Sequence, residues 1–162
     1  MAGRLSHVGE NRATRMVDVS PKPATERVAR AEATVLVGEA VAALIREHGG
    51  VGKGAVLETA QLAGIQAAKR AWELVPLCHP IALDHVEVSL HLADQTVEIQ
   101  TTARATARTG VEMEAMTAAV VAALTVYDMV KAASKEVEIQ QVRLLEKSGG
   151  KSGHWEREPQ RS

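Results

Sequence analysis

Aromatic side chains are almost absent from this 162-residue chain: they make up 2% of it, and phenylalanine does not occur. Hydrophobic residues nevertheless reach 46%, so the core has to be built from Ala, Val, Leu and Ile. A core of such small side chains favours close approach of backbones. The length of the chain predicts one domain around a single core.

Three further scarcities exclude classes of protein. Cys78 is the only cysteine, which excludes an internal disulfide and the metal or redox motifs that need several cysteines. The 19 Lys and Arg residues balance 20 acids, so no general field attracts nucleic acid or an anionic membrane. No apolar run reaches the roughly 18 residues of a membrane span, and the N-terminus lacks a signal-peptide pattern. We therefore expect a cytoplasmic protein.

The hydrophobic pattern predicts an α+β fold. Alternating runs indicate strands at 25–37, 81–92, 96–106 and 136–148, and apolar stripes indicate helices at 38–50, 55–74 and 109–135. This order predicts a ferredoxin-like two-layer sandwich, with the helices on one face of an antiparallel four-stranded sheet. The other face stays open, and either that face or the small-residue helix could serve self-association, so we predict a homo-oligomer.

Residues 24–148 form the predicted domain. Residues 1–23 contain two prolines in SPKP and are predicted to be a flexible arm with a short ordered piece near RMVDV. Residues 149–162 are predicted to be a flexible Gly-rich tail.

The apolar helix TGVEMEAMTAAVVAALTVYDMVKAASK carries charged residues that need an explanation. Helical spacing predicts one stripe of six residues: Glu114, Thr117, Val121, Leu124, Asp128 and Lys131. Glu114 and Asp128 lie about 21 Å apart along the axis, too far to act on one atom within a chain. Asp128 and Lys131 are neighbours that could share proton transfer or form an ordinary surface ion pair. Glu112 and Glu114 could equally be acids of the kind favoured in a first helical turn.

Two kinds of loop offer other candidate chemistry. PLCHP holds Cys78 and His79 between prolines, but no further ligands cluster nearby, so no metal site is predicted. GGVGKGA around Lys53 and KSGGKSG around Lys147 and Lys151 could wrap an anion through backbone N–H groups and ammonium charges. Both could also be simply solvated loops. Neither has the glycine spacing of a Walker motif.

Three long segments resemble the cyclic pyranopterin monophosphate synthase (MoaC) family of molybdenum cofactor biosynthesis: AGIQAAKRAWELVPLCHP, ARTGVEMEAMTAAVVAALTVYDMVK and VRLLEKSGGKSG. The resemblance extends from about Arg15 to Gly153. It implies a ferredoxin-like subunit in a hexamer built as a trimer of dimers, with the active site at a subunit interface. It also implies conversion of (8S)-3',8-cyclo-7,8-dihydroguanosine 5'-triphosphate to cyclic pyranopterin monophosphate, with release of diphosphate.

The resemblance also assigns residues by their positions in these motifs. It implies Asp128 as a catalytic residue and Lys131 and Lys53 as important lysines. Where the family usually has an acidic residue two places after the loop lysine, this chain has Ala55. The family's substrate-binding positions fall on Leu77, Cys78, His79, Met113 and Glu114, to which Glu112 and Lys147 are added as candidates.

This reaction combines proton transfers with neutralisation of a triphosphate. We hypothesise that Asp128 and a desolvated Lys131 form the acid/base centre, and that Lys53 protonates a leaving or ring nitrogen. His79 would orient the substrate or relay protons.

The remaining roles concern binding. Glu114 would accept hydrogen bonds from amino groups of the guanine-derived ring, and Lys147 would hold phosphate oxygens. No protein-bound cofactor is predicted, and Mg²⁺ accompanying the triphosphate is left open. Two alternatives predict no turnover: a non-catalytic oligomeric nucleotide-binding module, and a purely structural assembly protein.

Overall fold

A computed structural model describes residues 14–52 and 54–158. The helices are α1 (Glu39–His48), α2 (Val56–Ala68), α3 (Ala71–Leu74) and α4 (Glu112–Val130). The strands are β1 (Thr25–Leu36), β2 (Gly50–Val51), β3 (Gly54–Ala55), β4 (His85–Ala93), β5 (Thr96–Ala107), β6 (Glu138–Ser148) and β7 (Trp155–Glu156). The fold is α+β, as predicted.

The main sheet is antiparallel and has the strand order β4-β5-β1-β6-β7. The predicted count of four strands is therefore wrong, because β7 adds a fifth at the edge. In β7, Trp155 lies opposite Lys147 and Glu156 lies opposite Glu146. A strand of two residues has no detectable alternation of its own, so it depends on pairing with β6.

The core lies between one face of the sheet and helices α2 and α4. Alternate residues of β1 and β5 are fully buried against the helices, among them Ala31, Val35, Val97 and Ile99. The small side chains do bring backbones together. A Cβ added at Gly64 of α2 would lie 3.0 Å from the Ala118 carbonyl oxygen of α4, so glycine at this position favours the close approach of the two helices.

Two local features differ from the predicted elements. The predicted helix 55–74 is interrupted, because Arg70 leaves helical geometry (φ −120°, ψ 15°) and its N–H closes a turn on the Ala67 carbonyl. No glycine or proline marks this break. The loop GGVGKG, in turn, contains the β2–β3 hairpin, in which Gly54 has a φ of +108° that favours glycine.

The open face of the sheet is polar. Arg143 and Glu32 form an ion pair across it at 2.6 Å, and Arg30 pairs with Glu146 at 3.5 Å. Helix α4, on the opposite face, has the length and mean hydropathy of a membrane span, but 56% of its apolar 18-residue window is buried in the fold. It is therefore the central core helix of the described residues.

Candidate active site

The N-terminal end of α4 contacts the PLCHP turn, residues 76–80, which lies between α3 and β4. The turn is closed by the Cys78 N–H, which donates to the Val75 carbonyl at 3.0 Å. The Cys78 thiol then faces Glu114, with Sγ and Oε1 3.7 Å apart. Residues separated by 36 positions in sequence are thereby joined at one site.

Glu114 is buried at this end of the helix, with 2% of its surface exposed. Desolvation raises its pKa, and the charge of Glu112 adds to the rise. Its Oε2 atom has no hydrogen-bond partner within the described residues. Burial and then the charge of Glu114 raise the pKa of Cys78 to about 11. Both groups therefore hold protons more strongly than in water, and Glu114 offers an unused acceptor.

His79 connects the turn to the described residues before β1, 14–24, which we call the N-terminal segment. Its Nε2 atom lies 2.7 Å from the Val17 carbonyl oxygen. The segment is shaped by Asp18, whose carboxylate accepts hydrogen bonds from the N–H and hydroxyl of Ser20. The ordered piece predicted near RMVDV thus contributes directly to this site, through a main-chain group that the sequence did not single out.

These segments enclose an apolar cavity of about 850 Å³. Its wall includes every predicted binding residue of the turn and two of the helix: Leu77, Cys78, His79, Glu112 and Met113. The N-terminal segment closes another side with Val17 and Val19. Its size suits a fused heterocyclic ring, since ligand pockets commonly measure about 300–1,000 Å³.

A second cavity, of about 660 Å³, is basic and shares four residues with the first: Lys22, Thr109, Gly110 and Glu112. Five cationic residues and a single acid, Glu112, line it within the described part of the chain; the cations are Lys22, Arg27, Arg108, Lys147 and Lys151. Sequence reasoning found Lys147 and noted Lys151. It missed the other three, because single charges in a strand or turn carry no distinctive spacing.

Arg27 shapes the glycine-rich side of this basic cavity. Its guanidinium donates to the Gly149 carbonyl at 3.1 Å and to the Ala107 carbonyl at 3.4 Å. Gly149 and Gly150 have φ values of +99° and +68°, and a Cβ on Gly150 would collide with the Arg27 guanidinium. The KSGGKSG segment is therefore folded around an arginine rather than free, and it presents Lys147 beside Glu112, with Nζ and Oε1 2.9 Å apart.

The other end of α4 has a different character. Asp128 and Lys131 form an ion pair at 2.6 Å, with side chains 54% and 51% exposed. The hydrogen bond with Asp128, and then the Asp128 charge, raise the pKa of Lys131. The expectation of a desolvated lysine with a lowered pKa is therefore wrong for the single chain. The hydrogen bond and charge of the nearby carboxylate outweigh the opposing effect of desolvation on the pKa of Lys131.

The predicted common stripe on α4 also needs correction, because Glu114 points into the fold while Leu124 and Asp128 are exposed. A repeat of seven residues drifts by about 20° per heptad on a straight helix. In addition, the PLCHP turn covers the helix at Glu114. Helical spacing alone could not predict that the PLCHP turn buries Glu114.

Lys53 lies outside the described residues. The glycines on either side of it in sequence, Gly52 and Gly54, help to line an apolar cavity of about 810 Å³ together with Leu44 and Met129. This cavity lies near the Asp128 end of α4. GGVGKGA contains an ordered hairpin in which Gly52, Gly54 and Ala55 are exposed, so the solvated-loop and anion-binding alternatives both stay predictions.

The described residues contain no group of three His, Cys, Asp or Glu side chains placed to hold a metal ion. What the chain assembles instead is an apolar cavity beside a basic one. A ring and an attached polyphosphate would fit this arrangement.

Comparison with known proteins finds one family over most of the chain. The sequence profile of the MoaC family matches residues 16–150. A cyclic pyranopterin monophosphate synthase of Streptomyces griseus subsp. griseus is 56% identical over 154 residues, covering 95% of this chain and 86% of that protein. Proteins of the same name from Streptomyces avermitilis and Streptomyces coelicolor are each 55% identical over 154 residues, covering 95% of this chain and 90% of theirs.

Proposed function

This chain belongs to the MoaC family, and we propose that it converts (8S)-3',8-cyclo-7,8-dihydroguanosine 5'-triphosphate to cyclic pyranopterin monophosphate with release of diphosphate. It is then a phosphorus-oxygen lyase of molybdenum cofactor biosynthesis. The observation that carries the proposal is the pair of adjoining cavities, which share Lys22, Thr109, Gly110 and Glu112. One suits the ring of the substrate and the other suits its triphosphate.

The apolar cavity would take the guanine-derived ring. Cys78, His79 and Met113 line it. Glu114 is not part of this wall but contacts Cys78 from behind, and its buried Oε2 has no hydrogen-bond partner among the described residues. An amino group of the ring is a donor that such an acceptor lacks. Burial raises the pKa of Glu114 and so favours its protonated form. Binding of a donor or cation near it would act in the opposite direction and favour the carboxylate.

The basic cavity would take the triphosphate. Its five cations exceed its single acid, although the chain as a whole carries a formal charge of −1. Lys147 would contact phosphate oxygens, and Arg27 would hold the glycine segment in place around them. We propose no protein-bound cofactor for this step, and Mg²⁺ accompanying the triphosphate is left open.

The acid/base centre is proposed at Asp128 and Lys131, with Lys53 protonating a nitrogen. Since Asp128 lies about 21 Å along α4 from Glu114, both ends of the helix can serve one substrate only if two chains meet. We therefore propose a homo-oligomer, a hexamer built as a trimer of dimers, with the site between subunits. A neighbouring chain over Asp128 and Lys131 would supply the desolvation that the single chain does not.

Exposed apolar side chains support such an interface. Large ones lie on the helical side of the fold: Leu62, Trp72, Leu74, Val120 and Leu124. Burial of such side chains between subunits stabilises an oligomer. The strand order β4-β5-β1-β6 also fits a ferredoxin-like subunit, and we keep the cytoplasm as the expected location.

The test is to incubate the purified protein with the cyclised nucleotide. Diphosphate release and a fluorescent pterin derivative of the product are then measured together. The proposal expects both products, in equal amounts. Nucleotide binding without either product would indicate a binding module, and absence of binding and of products would indicate an assembly protein.

A further inference from the structure

Glu112 stands where the two cavities join. It lines both of them, and its Oε1 atom accepts a hydrogen bond from Lys147 Nζ at 2.9 Å. The side chains are 25% and 32% exposed, so the pair is partly shielded from water. The carboxylate folds back over residue 110, where a Cβ would collide with it. Gly110 thus leaves the space that holds Glu112 beside Lys147.

Arg27, another cation of the basic cavity, is differently placed. Arg27 is engaged by the main-chain carbonyls of Ala107 and Gly149. Lys147 is the cation that a carboxylate already holds. A polyphosphate entering this cavity would either take Lys147 from Glu112 or lie close to the Glu112 charge, and like charges at such range repel.

We propose that Glu112 is an internal competitor for Lys147, which lowers the affinity of the basic cavity for diphosphate and thereby lets this anion leave. The identity of the anion rests on the proposed function. Glu112 is then not a catalytic residue. It sets how firmly the cavity holds the leaving group, by returning to Lys147 as the anion departs.

Binding of inorganic diphosphate to the purified full-length protein, measured by calorimetry, tests this role without turnover. E112Q should bind diphosphate about tenfold more tightly than the wild type, because a partly shielded charge interaction is removed. E112D retains the charge and should stay near the wild-type affinity. E138Q is the matched control, since it makes the same change in net charge at the far end of β6 and should have no effect.

A double-mutant cycle separates competition from general repulsion. K147Q should weaken diphosphate binding, and adding E112Q to K147Q should restore much less than the tenfold gain seen in the wild type. In turnover, E112Q should lower the KM of the nucleotide and also lower kcat, since diphosphate leaves more slowly.

Several outcomes would overturn the proposal. Equal or weaker diphosphate binding by E112Q contradicts it, and so does an undiminished gain in the K147Q background. If no variant binds diphosphate while the nucleotide is still converted, the competitor role fails and the proposed function stands. If diphosphate binding and conversion are both absent, the proposed function fails as well.

Discussion

The two ends of helix α4 differ in how far one chain completes them. At the Glu114 end, the PLCHP turn, the N-terminal segment and the KSGGKSG segment enclose two adjoining cavities. At the Asp128 end, the charged pair is half exposed. A single subunit thus builds a place to hold a ligand, while its proposed proton-transfer groups lie uncovered.

This difference in burial explains why different interactions shift the pKa values at the two ends of α4. Burial dominates the pKa of Glu114 and Cys78, whereas a direct hydrogen bond dominates that of Lys131. Changes at the enclosed end should therefore affect proton affinity and stability within one chain. Changes at the exposed end should affect mainly turnover, with the oligomer and ligand binding largely kept.

The largest expected effect tests the exposed end. D128N keeps the shape of the side chain but removes the base, so we expect turnover to fall about a thousandfold, within the usual range for general acid/base catalysis. Affinity for diphosphate, oligomeric state and thermal midpoint should stay unchanged. Turnover is measured by diphosphate release.

The matched control for D128N is E39Q, which removes another exposed carboxylate paired with a base, Arg46 at 3.3 Å. It should retain full turnover. Undiminished turnover in D128N would remove Asp128 from the mechanism and leave the enclosed end as the whole site.

An intermediate effect tests the enclosed end through Cys78. With its pKa raised from 9.0 to about 11, the thiolate fraction at pH 8 is about a hundredfold lower than in an ordinary thiol, and iodoacetamide should react correspondingly slowly. Urea-unfolded protein should react at the ordinary rate. Since the chain has one cysteine, the mass of the labelled protein reports this site directly.

The variant E114Q sharpens that experiment, because it removes the nearby carboxylate charge and should speed alkylation at pH 8. A rate in the folded wild type equal to that of the unfolded chain would show that Cys78 is not enclosed. The contrast between the helix ends would then disappear.

The smallest effect concerns stability. The folded-state pKa of Glu114 is raised, so its contribution is most favourable at low pH, below the ordinary value of 4.5, and is lost as pH rises through the folded pKa. E114Q should therefore be more stable than the wild type at pH 8, by about 1 kcal/mol for an unsatisfied buried group, with the gap closing near pH 4.

Urea unfolding at both pH values measures the difference. The exposed control E138Q should track the wild type throughout. A gap that is independent of pH would assign the effect of E114Q to packing instead of ionisation.

The sequence predicts the long elements well, because each carries enough periods of alternation or of helical spacing. The predicted strand 25–37 corresponds to Thr25–Leu36, and 96–106 corresponds to Thr96–Ala107. The short strands β2, β3 and β7 escape such reasoning, since two residues show no period and depend on a partner elsewhere in the chain.

For the site, motif and spacing find residues but not their environment. Cys78, His79 and Glu112 were predicted and do line one cavity. Glu114 and Asp128 looked alike by spacing, yet one is buried and the other exposed, because burial depends on which distant segment covers the helix. The Val17 carbonyl could not be predicted, because every residue has a main-chain acceptor and the residue type does not show which one is used.

The contact between that carbonyl and His79 determines the tautomer of the imidazole as well as its position. A carbonyl oxygen only accepts, so Nε2 of the imidazole must carry the hydrogen that spans the 2.7 Å between them. The neutral ring is thereby committed to one tautomer, and its Nδ1 is left with a lone pair. Any proton that His79 takes from a ligand has to arrive at Nδ1, so the N-terminal segment determines the side from which this histidine can act as a base.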